Sequence, residues 1–383
     1  MKRSSIIFLI GLAAVAVVSC HNTKEENSPE LTVLYEIDYS RINSANVMPL
    51  IIDSVEFIPL HGSIDNPISH VDELQVTDNG TYILDKRRNS LHVYEKNGNR
   101  RFTLQSMGHS QQEYLEIACF TVTDSSVFIV DNFGKKINEY DSDNGKFKKS
   151  YNAPIVIGAI RPLGNGGFIL AELPMEGVNQ LEGSDGKRLY ITDETFRIKS
   201  SAYPYSNLRD KIGMGRFLSD NDSIIIYSAT GYNGFSKISA KDGSIIGNVE
   251  VNTAMPFING EIAEMDLSEA LDYVEKKQWQ FLTTVPLTVG KYVCLSVKDN
   301  KTAEPCIYDT SSGTLFFNEN VSMHNNMIAP DDAYGDSFYI VYNFGGEFLD
   351  DQLGMGFNQP PFVADSIIRN DGAVLLRYKM RID

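Results

Sequence analysis

The sequence has 383 residues, with 50 acidic against 34 basic side chains and a net charge of −16 at pH 7. This excess of carboxylates argues against a protein that binds nucleic acid or anionic lipid headgroups, because both need clustered Lys and Arg. The six histidines and four cysteines show no zinc-ligand spacing, and the sequence contains neither a G-x-S-x-G elbow nor a phosphate-binding P-loop.

The first predicted element is a secretion signal at residues 1–19. It begins with Lys2 and Arg3, and the uncharged apolar run that follows is shorter than the about 20 residues that a membrane span needs. The sequence VVSC resembles a bacterial lipobox, so we predict that Cys20 carries a lipid anchor; the alternative is an ordinary signal peptide that happens to contain this cysteine. Residues 20–30 are polar and predict a flexible tether.

One sequence pattern occurs twice, at residues 81–98 and 127–145. Asp85 and Asp131 occupy equivalent positions in it, 46 residues apart. Each unit contains four short runs rich in Val, Ile, Tyr and Phe, separated by turn signals such as Asn97-Gly98, for which we expect positive φ at both turn positions. Four strands in about 40–50 residues predict one propeller blade per unit, because so small a sheet must stack on neighbours to bury both faces.

Four further units follow less regularly. Their predicted strands are IGAIRPL, GFILAEL, LYITD and RIKSSAY in the third; GRFLS, SIIIYSA, FSKIS and SIIGNVEV in the fourth; FLTTVPLT, KYVCLSV, PCIYDT and TLFFNE in the fifth; and MIAPDD, SFYIVYN and AVLLRYKM in the sixth. The sixth unit is one strand short, and residues 54–60 (SVEFIPL) are a candidate that pairs beside AVLLRYKM and leaves no open edge. Residues 31–383 are therefore predicted to form one all-β domain, a six-bladed β-propeller whose last blade is closed by an N-terminal strand.

The units resemble NHL- and TolB-like propeller repeats, and the chain is similar to the six-bladed β-propeller lipoproteins of gut Gram-negative bacteria. The residues that carry the resemblance are the SVEFIPL opening, the YILD and FIVD strand ends, and residues 108–114. The family commonly has G-x-G-P-x-E-Y there; this chain keeps Gly108, Glu113 and Tyr114 and lacks the middle glycine and the proline. The resemblance implies the fold and an envelope location, and no particular activity.

The four longest connections are predicted on one face of the propeller. In a blade, the first-to-second and third-to-fourth strand turns lie on one face, and the second-to-third loops and the blade-to-blade links lie on the other. Residues 174–188, 204–212, 253–279 and 343–372 all belong to the second set, and long loops in compact domains are commonly functional. The last of them mixes Gly with four Phe residues, which either recognise a ligand or anchor the loop to the body.

A short helical insertion is predicted at about residues 258–279. Its apolar residues recur at near-helical spacing, and Asp266 or Ser268 is the candidate N-cap. These apolar residues are Ile262, Met265, Leu267, Leu271 and Val274. The apolar side either packs on the propeller or docks a partner.

The candidate ligand-binding residues are polar side chains expected near the loop-rich face. They are Arg87, Asp131, Arg161, Arg209 and Tyr232. Clustered arginines in so acidic a protein favour an anionic ligand such as a carboxylated sugar; separate surface ion pairs are the alternative, and the more ordinary one. Because Asp131 and its equivalent Asp85 end their strands just before a turn, we expect each to cap its own loop through backbone N–H groups rather than to do acid–base work.

Three cysteines follow Cys20 in the chain. Cys294 and Cys306 could pair in an oxidising compartment if their strands are neighbours. We expect instead that both, together with Cys119, are buried apolar residues.

These observations predict a non-catalytic binding lipoprotein at the outer membrane, which presents its loop-rich face to an unidentified glycan, peptide or protein partner. Its membrane contact is the lipid anchor alone, and it needs no cofactor. Residues 24–26 resemble the acidic export tags of surface-exposed lipoproteins, which leaves both the periplasm and the cell exterior open. Two alternatives stand beside this reading: a metal-dependent hydrolase or lactonase of the six-bladed propeller type, holding a divalent cation with Asp, Asn and Glu oxygens, and a partner subunit of a nutrient-uptake complex.

Overall fold

Six β-sheets form the part of the chain that the computed structural model describes. The described residues are 32–41, 43, 45–61, 66–173, 183–204, 218–221, 223–229, 233–255, 265–298, 303–318, 327, 329–342 and 373–382. The predicted signal peptide and tether lie outside these ranges, and the chain from Thr32 onward forms one compact unit. Two strands precede the repeated units: β1 (Val33–Asp38) and β2 (Ile52–Pro59).

The first three sheets each take four consecutive strands. Blade 1 contains β3 (Glu73–Thr77), β4 (Gly80–Asp85), β5 (Ser90–Tyr94) and β6 (Arg100–Leu104). Blade 2 contains β7 (Cys119–Val122), β8 (Ser126–Asp131), β9 (Lys136–Asp141) and β10 (Phe147–Asn152). Blade 3 contains β11 (Ile157–Pro162), β12 (Phe168–Glu172), β13 (Lys187–Thr192) and β14 (Ile198–Pro204).

The other three sheets include the departures from this simple order. Blade 4 contains β15 (Leu218–Asn221), β16 (Ile224–Tyr227), β17 (Gly234–Ser239) and β18 (Ile245–Asn252), with β1 added outside β18. Blade 5 contains β19 (Phe281–Leu282), β20 (Leu287–Val289), β21 (Tyr292–Lys298), β22 (Ala303–Asp309) and β23 (Thr314–Phe317). Blade 6 contains β24 (Asp332–Tyr334), β25 (Ser337–Tyr342), β26 (Val374–Met380) and β2. The innermost strands of neighbouring blades contact one another around a central axis, and in blade 5 this strand is β20.

The ring closes where the two ends of the propeller meet. β2 pairs antiparallel with β26, from Ile52 opposite Met380 to Pro59 opposite Val374. This pairing confirms the predicted closure of the last blade by an N-terminal strand, and with it the six-bladed β-propeller. In the described ranges, no helix has both the length and the apolar character that a membrane crossing needs.

β1 was not predicted. It pairs parallel with β18, so it adds a fifth strand to blade 4, and it places Ile37 in the apolar cluster between blades 4 and 5. After β1 the chain continues past blade 5, where Val47 bridges to Phe317, before it enters blade 6 as β2. No turn signal marks β1 in the sequence, because its partner strand lies more than two hundred residues further along the chain.

The apolar core is divided into six clusters, each shared by two adjacent blades. Between blades 1 and 2, for example, Tyr82 and Val93 pack with Phe120 and Ile129. Every residue of β4 and of β8 is buried. Such strands need a neighbouring sheet on each side, which is why a single blade is not stable alone.

Cys119, Cys294 and Cys306 are buried and free, which confirms their expected apolar role. In the pairing of β21 with β22, Cys306 stands opposite Leu295, and Cys294 stands opposite Ile307. Since successive residues of a strand point to opposite faces, the two cysteines lie on different sides of blade 5, and they belong to different core clusters. The alternative of a Cys294–Cys306 disulfide is therefore wrong.

The hairpin turn at Asn97-Gly98 differs from the predicted type. Gly98 has φ +83°, whereas Asn97 is not among the residues with positive φ. Gly98 N–H bonds to the Glu95 carbonyl, and the β5–β6 register shifts next to the turn. These features are those of a type I turn followed by a left-handed glycine, the common longer hairpin connection, and not of the two-residue mirror-image turn.

The predicted helix is α1 (Leu267–Lys277). Asp266 accepts a hydrogen bond from the Glu269 N–H at 2.8 Å, and the Glu269 carboxylate accepts one from the Asp266 N–H at 3.2 Å. This reciprocal pair is a capping box, so Asp266 rather than Ser268 is the N-cap. Most of the side chains in the predicted apolar stripe lie outside the described part of the structure, and its packing stays a prediction.

Candidate functional site

The two faces of the propeller carry different connections. The short-turn face carries the first-to-second and third-to-fourth strand turns, such as Asp78-Asn79 between β3 and β4. The long-loop face carries the second-to-third loops and the blade-to-blade links. The strands that flank the four long segments all end at the long-loop face, in agreement with the prediction. Within those segments, residues 174–182, 205–212, 256–264 and 343–372 lie outside the described ranges.

A depression of about 740 Å³ opens on the long-loop face around the axis, lined by blades 1 to 4. Much of its wall is aliphatic: Leu115, Ile117, Val156, Leu173 and Leu218. Its ionisable lining residues are Asp72, Glu73, Lys86 and Glu116. A concave, mostly apolar surface with a few polar groups is the usual form of a ligand site.

The floor between the two faces is an ion-pair cluster centred on Arg161. This side chain is 2 % exposed; its Nε donates to Asp220 at 2.6 Å and its Nη1 donates to Glu73 at 3.2 Å. Nη2 also donates to the Leu218 carbonyl at 3.2 Å. Burial opposes the charged form, but Asp220, Glu73 and Asp332 outweigh that effect and raise the pKa of Arg161. Arg161 thus joins blades 1, 3 and 4 across the axis.

Asp85 and Asp131 hold the chain where it enters their own blades. Asp85 accepts hydrogen bonds from the Ser69 N–H at 2.6 Å and the Arg88 N–H at 3.1 Å. Asp131 accepts hydrogen bonds from the Leu115 N–H at 2.9 Å and from the Gly134 N–H of its turn at 2.7 Å. Ser69 and Leu115 each precede their aspartate by 16 residues, so the sequence repeat is also a repeat of this contact. The expected loop-capping role is what these contacts show.

One asparagine in each of these turns joins the turn to the following blade. Asn89 accepts the Ile117 N–H at 2.7 Å and donates to the Leu115 carbonyl at 3.0 Å. Asn132 accepts the Ile157 N–H and donates to the Ile157 carbonyl, both at 3.0 Å. Sequence reasoning missed this role, because each amide bonds to a segment about 25 residues further on.

Phe133 and Glu116 form the rim of the depression on blade 2. Phe133 is 73 % exposed. Its neighbours in the turn are nevertheless fixed by hydrogen bonds, since Gly134 donates to Asp131 and Asn132 bonds to the backbone of Ile157. Glu116 is half-buried, and its carboxylate faces the Phe133 N–H. Burial and the charge of Asp131 raise the pKa of Glu116, against the opposing effect of Lys86.

The segment from Gly108 to Tyr114 is a structural support of this face. Tyr114 is fully buried; its hydroxyl accepts the Ser106 N–H at 3.0 Å and donates to the Asn89 carbonyl at 3.3 Å. The Glu113 carboxylate accepts the Ser110 N–H at 2.9 Å and lies so close to Gly108 that a β-carbon there would overlap it. The three residues that match the family pattern are thus those that shape the loop.

Three of the five predicted ligand-binding residues lie in the described ranges, and these three do not form one cluster. Arg87 is exposed on the β4–β5 turn of the long-loop face, Asp131 caps its turn, and Arg161 is paired at the axis. None of these three lines the depression. Arg209 and Tyr232, like the predicted lipidation site Cys20, lie outside the described residues.

The residues that sequence reasoning missed are Phe133, Glu116, Lys86 and Asp72. An aromatic residue within a tight second-to-third strand turn is the one available signal, and it points to Phe133. Within the described ranges, no three His, Cys, Asp or Glu side chains come together in a way that would hold a metal ion. The polar groups of the described lining residues are carboxylates, amides and one amine, which are groups that can bind and orient a ligand by charge and hydrogen bonding.

Comparison with known proteins gives the fold and little more. A family model described as 6-bladed beta-propeller matches residues 23–283. Among solved structures, a candidate exported protein of Bacteroides fragilis superposes with a TM-score of 0.73 at 13 % identity, over 91 % of this chain and 100 % of that one. A DUF4221 family member from Bacteroides vulgatus gives 0.49 at 9 % identity, over 86 % and 97 %. BamB from Moraxella catarrhalis gives 0.40 at 11 % identity, over 75 % and 71 %. No protein of curated function matches the sequence significantly.

Proposed function

The chain belongs to the DUF5128 family of six-bladed β-propellers, and from that premise we propose that it is a non-catalytic binding lipoprotein of the outer membrane. It binds a glycan, peptide or protein partner through the long-loop face. The observation that carries the proposal is a depression of ligand size beside an exposed but rigidly held aromatic residue, on the face where the long connections gather. Ligand sites on rigid scaffolds commonly have this form.

The lipid anchor is the second part of the proposal. It rests on the resemblance of VVSC to a lipobox, and an envelope location is supported by the likeness in fold to a candidate exported protein. β1 runs parallel to β18, which starts at the short-turn face, so the chain enters the propeller on that side.

Replacement of the anchoring cysteine tests the location. Several acyl chains hold a protein firmly to a bilayer, because each buried CH₂ contributes about 0.8 kcal/mol. We expect the wild-type protein to incorporate labelled palmitate and to sediment with outer membranes, and Cys20→Ser to do neither. Membrane association of Cys20→Ser equal to that of the wild type would contradict the anchor.

Capture of the partner tests the binding face. After chemical cross-linking in native cells, we expect a partner to co-purify with the wild-type protein and to be lost from Phe133→Ser. Leu50→Ser is the matched control, because Leu50 is 54 % exposed and precedes β2 at the short-turn side. The proposal fails if the protein always elutes alone, or if Phe133→Ser and Leu50→Ser retain the partner equally.

The non-catalytic part of the proposal is tested by metal titration. A ligand at 100 times its Kd stabilises the folded state by about 2.7 kcal/mol, which raises the melting temperature measurably. We expect no rise with Ca²⁺, Mg²⁺ or Zn²⁺. A reproducible rise with one of them would favour a metal-dependent hydrolase instead.

A further inference from the structure

We propose that the depression on the long-loop face binds a short peptide segment that presents an apolar side chain next to a Lys or Arg. The inference rests on the proposed function and names the ligand class of the same site. The apolar side chain lies against the aliphatic wall and the Phe133 ring, and the cationic group lies at the acidic rim formed by Asp72 and Glu116.

The wall of the depression selects the apolar part of this ligand. Leu115, Val156 and Leu173 are only half-buried although they lie in a concavity, so a ligand that covers them removes apolar surface from water. The volume of about 740 Å³ lies in the range of about 300–1,000 Å³ typical of ligand sites. This volume is enough for a few peptide side chains.

The held but exposed Phe133 supports a binding role over simple surface decoration. Its turn is fixed by the hydrogen bonds of Asp131 and Asn132. The aromatic ring is therefore positioned before a ligand arrives, which lowers the entropy cost of binding. The ring covers apolar groups well.

The charges around the depression select the cation. Among the described residues that line it, three are carboxylates, Asp72, Glu73 and Glu116, and one is an amine, Lys86. Arg161 does not reverse this balance, because it is shared among Glu73, Asp220 and Asp332. The described lining therefore carries a net negative charge, which attracts basic groups and repels acidic ones.

Three matched peptides test the proposal directly: Ac-Leu-Leu-Lys-NH₂, Ac-Leu-Leu-Gln-NH₂ and Ac-Leu-Leu-Glu-NH₂. Binding to the full-length protein is followed by NMR shift titration at low salt. We expect the Lys peptide to bind about fivefold more tightly than the Gln peptide, as one ion pair near a surface provides, and the Glu peptide to bind least. Equal affinities, or tightest binding of the Glu peptide, would overturn the proposal.

Substitutions locate the binding. Glu116→Gln should remove most of the preference for Lys over Gln, and Phe133→Ala should weaken all three peptides alike. Asp124→Asn is the control, because Asp124 is an exposed carboxylate that lines the opening on the short-turn face, and it should change nothing. Unfolding curves of each variant show whether it is folded, and an unchanged peptide preference in folded Glu116→Gln would contradict the assignment.

The pH response gives an independent reading of the same carboxyl group. Glu116 faces Asp131, Lys86 and the Phe133 amide, and its raised pKa means that it loses its charge at a higher pH than an ordinary glutamate does. As the pH is lowered from 7 through the titration of Glu116, Lys-peptide affinity should therefore fall in the wild type and change less in Glu116→Gln. If these peptides do not bind while Phe133→Ser still abolishes partner capture, the ligand class is wrong and the proposed binding face stands.

Discussion

At the scale of single residues, the axis depends on Arg161. Its partners Glu73 and Asp220 lie 88 and 59 residues away in sequence, which is why the sequence marks it only as one arginine among several. A cation that serves three buried or half-buried carboxylates leaves them uncompensated when it is removed, and breaking such a pair costs about 3–5 kcal/mol.

Arg161→Met should therefore lower the free energy of unfolding by roughly that amount in urea titration. The matched control is Arg87→Met, which changes an exposed arginine and should stay within about 0.5 kcal/mol of the wild type. Adding Glu73→Gln to Arg161→Met should restore part of the loss, since one unpaired charge is then gone. A small effect of Arg161→Met alone would show that the cluster contributes little to stability.

Asp85 provides a pH-dependent part of the same stability. Burial alone would raise the pKa of this carboxyl, but hydrogen bonds from Ser69, Arg88 and His70 outweigh it and lower the pKa. A lowered folded-state pKa stabilises the fold above the unfolded-state value of about 3.9, and that stabilisation is lost as the pH falls through the folded-state value. Asp85→Asn should be less stable than the wild type at pH 7, and the gap should narrow below about pH 4. A gap that is the same at pH 3 and pH 7 in urea unfolding would contradict this role.

At the scale of strands and turns, local signals were enough where both partners of a contact are close in sequence. β3 to β18 match the predicted runs because alternating apolar residues and Gly, Asn or Asp turns lie within each unit. β1 was not predicted because it pairs parallel with a strand that is remote in sequence. The predicted turn type at Asn97-Gly98 was wrong because this dipeptide fits two kinds of hairpin turn, and the flanking bulge decides between them.

Gly98 and Gly166 separate two reasons why a turn needs glycine. Both have left-handed φ, +83° and +87°, but a β-carbon at Gly98 would strike the Pro59 carbonyl of β2, whereas one at Gly166 meets nothing within 4 Å. Gly166→Ala should cost about 1–2 kcal/mol through backbone strain. Gly98→Ala should cost about 1–3 kcal/mol more, because the chain must also move away from β2. Equal losses in denaturant unfolding would show that the contact with β2 yields freely.

At the scale of the whole molecule, the closed ring was predictable and the site was not. Six units with one strand missing at the C-terminal end and one spare strand near the N-terminus permit few arrangements, and β2 beside β26 is the one found. The candidate site draws Asp72, Glu116, Val156 and Leu218 from four blades. Their proximity follows from the curvature of the ring, which no local pattern in the sequence encodes.

The closure predicts how shortened chains behave. A chain that starts at residue 40 lacks β1, loses Ile37 from the cluster between blades 4 and 5, and keeps a complete blade 6. It should melt cooperatively at a lower temperature than the full-length chain, because the loss of a buried Ile side chain costs about 2–5 kcal/mol. A chain that starts at residue 62 also lacks β2, so the edge of β26 and the apolar residues facing it are uncovered. An open edge of this kind pairs with other chains, and we expect aggregation in size-exclusion chromatography and no cooperative melting. If the second chain were monomeric and as stable as the first, closure by β2 would not be what holds the ring together.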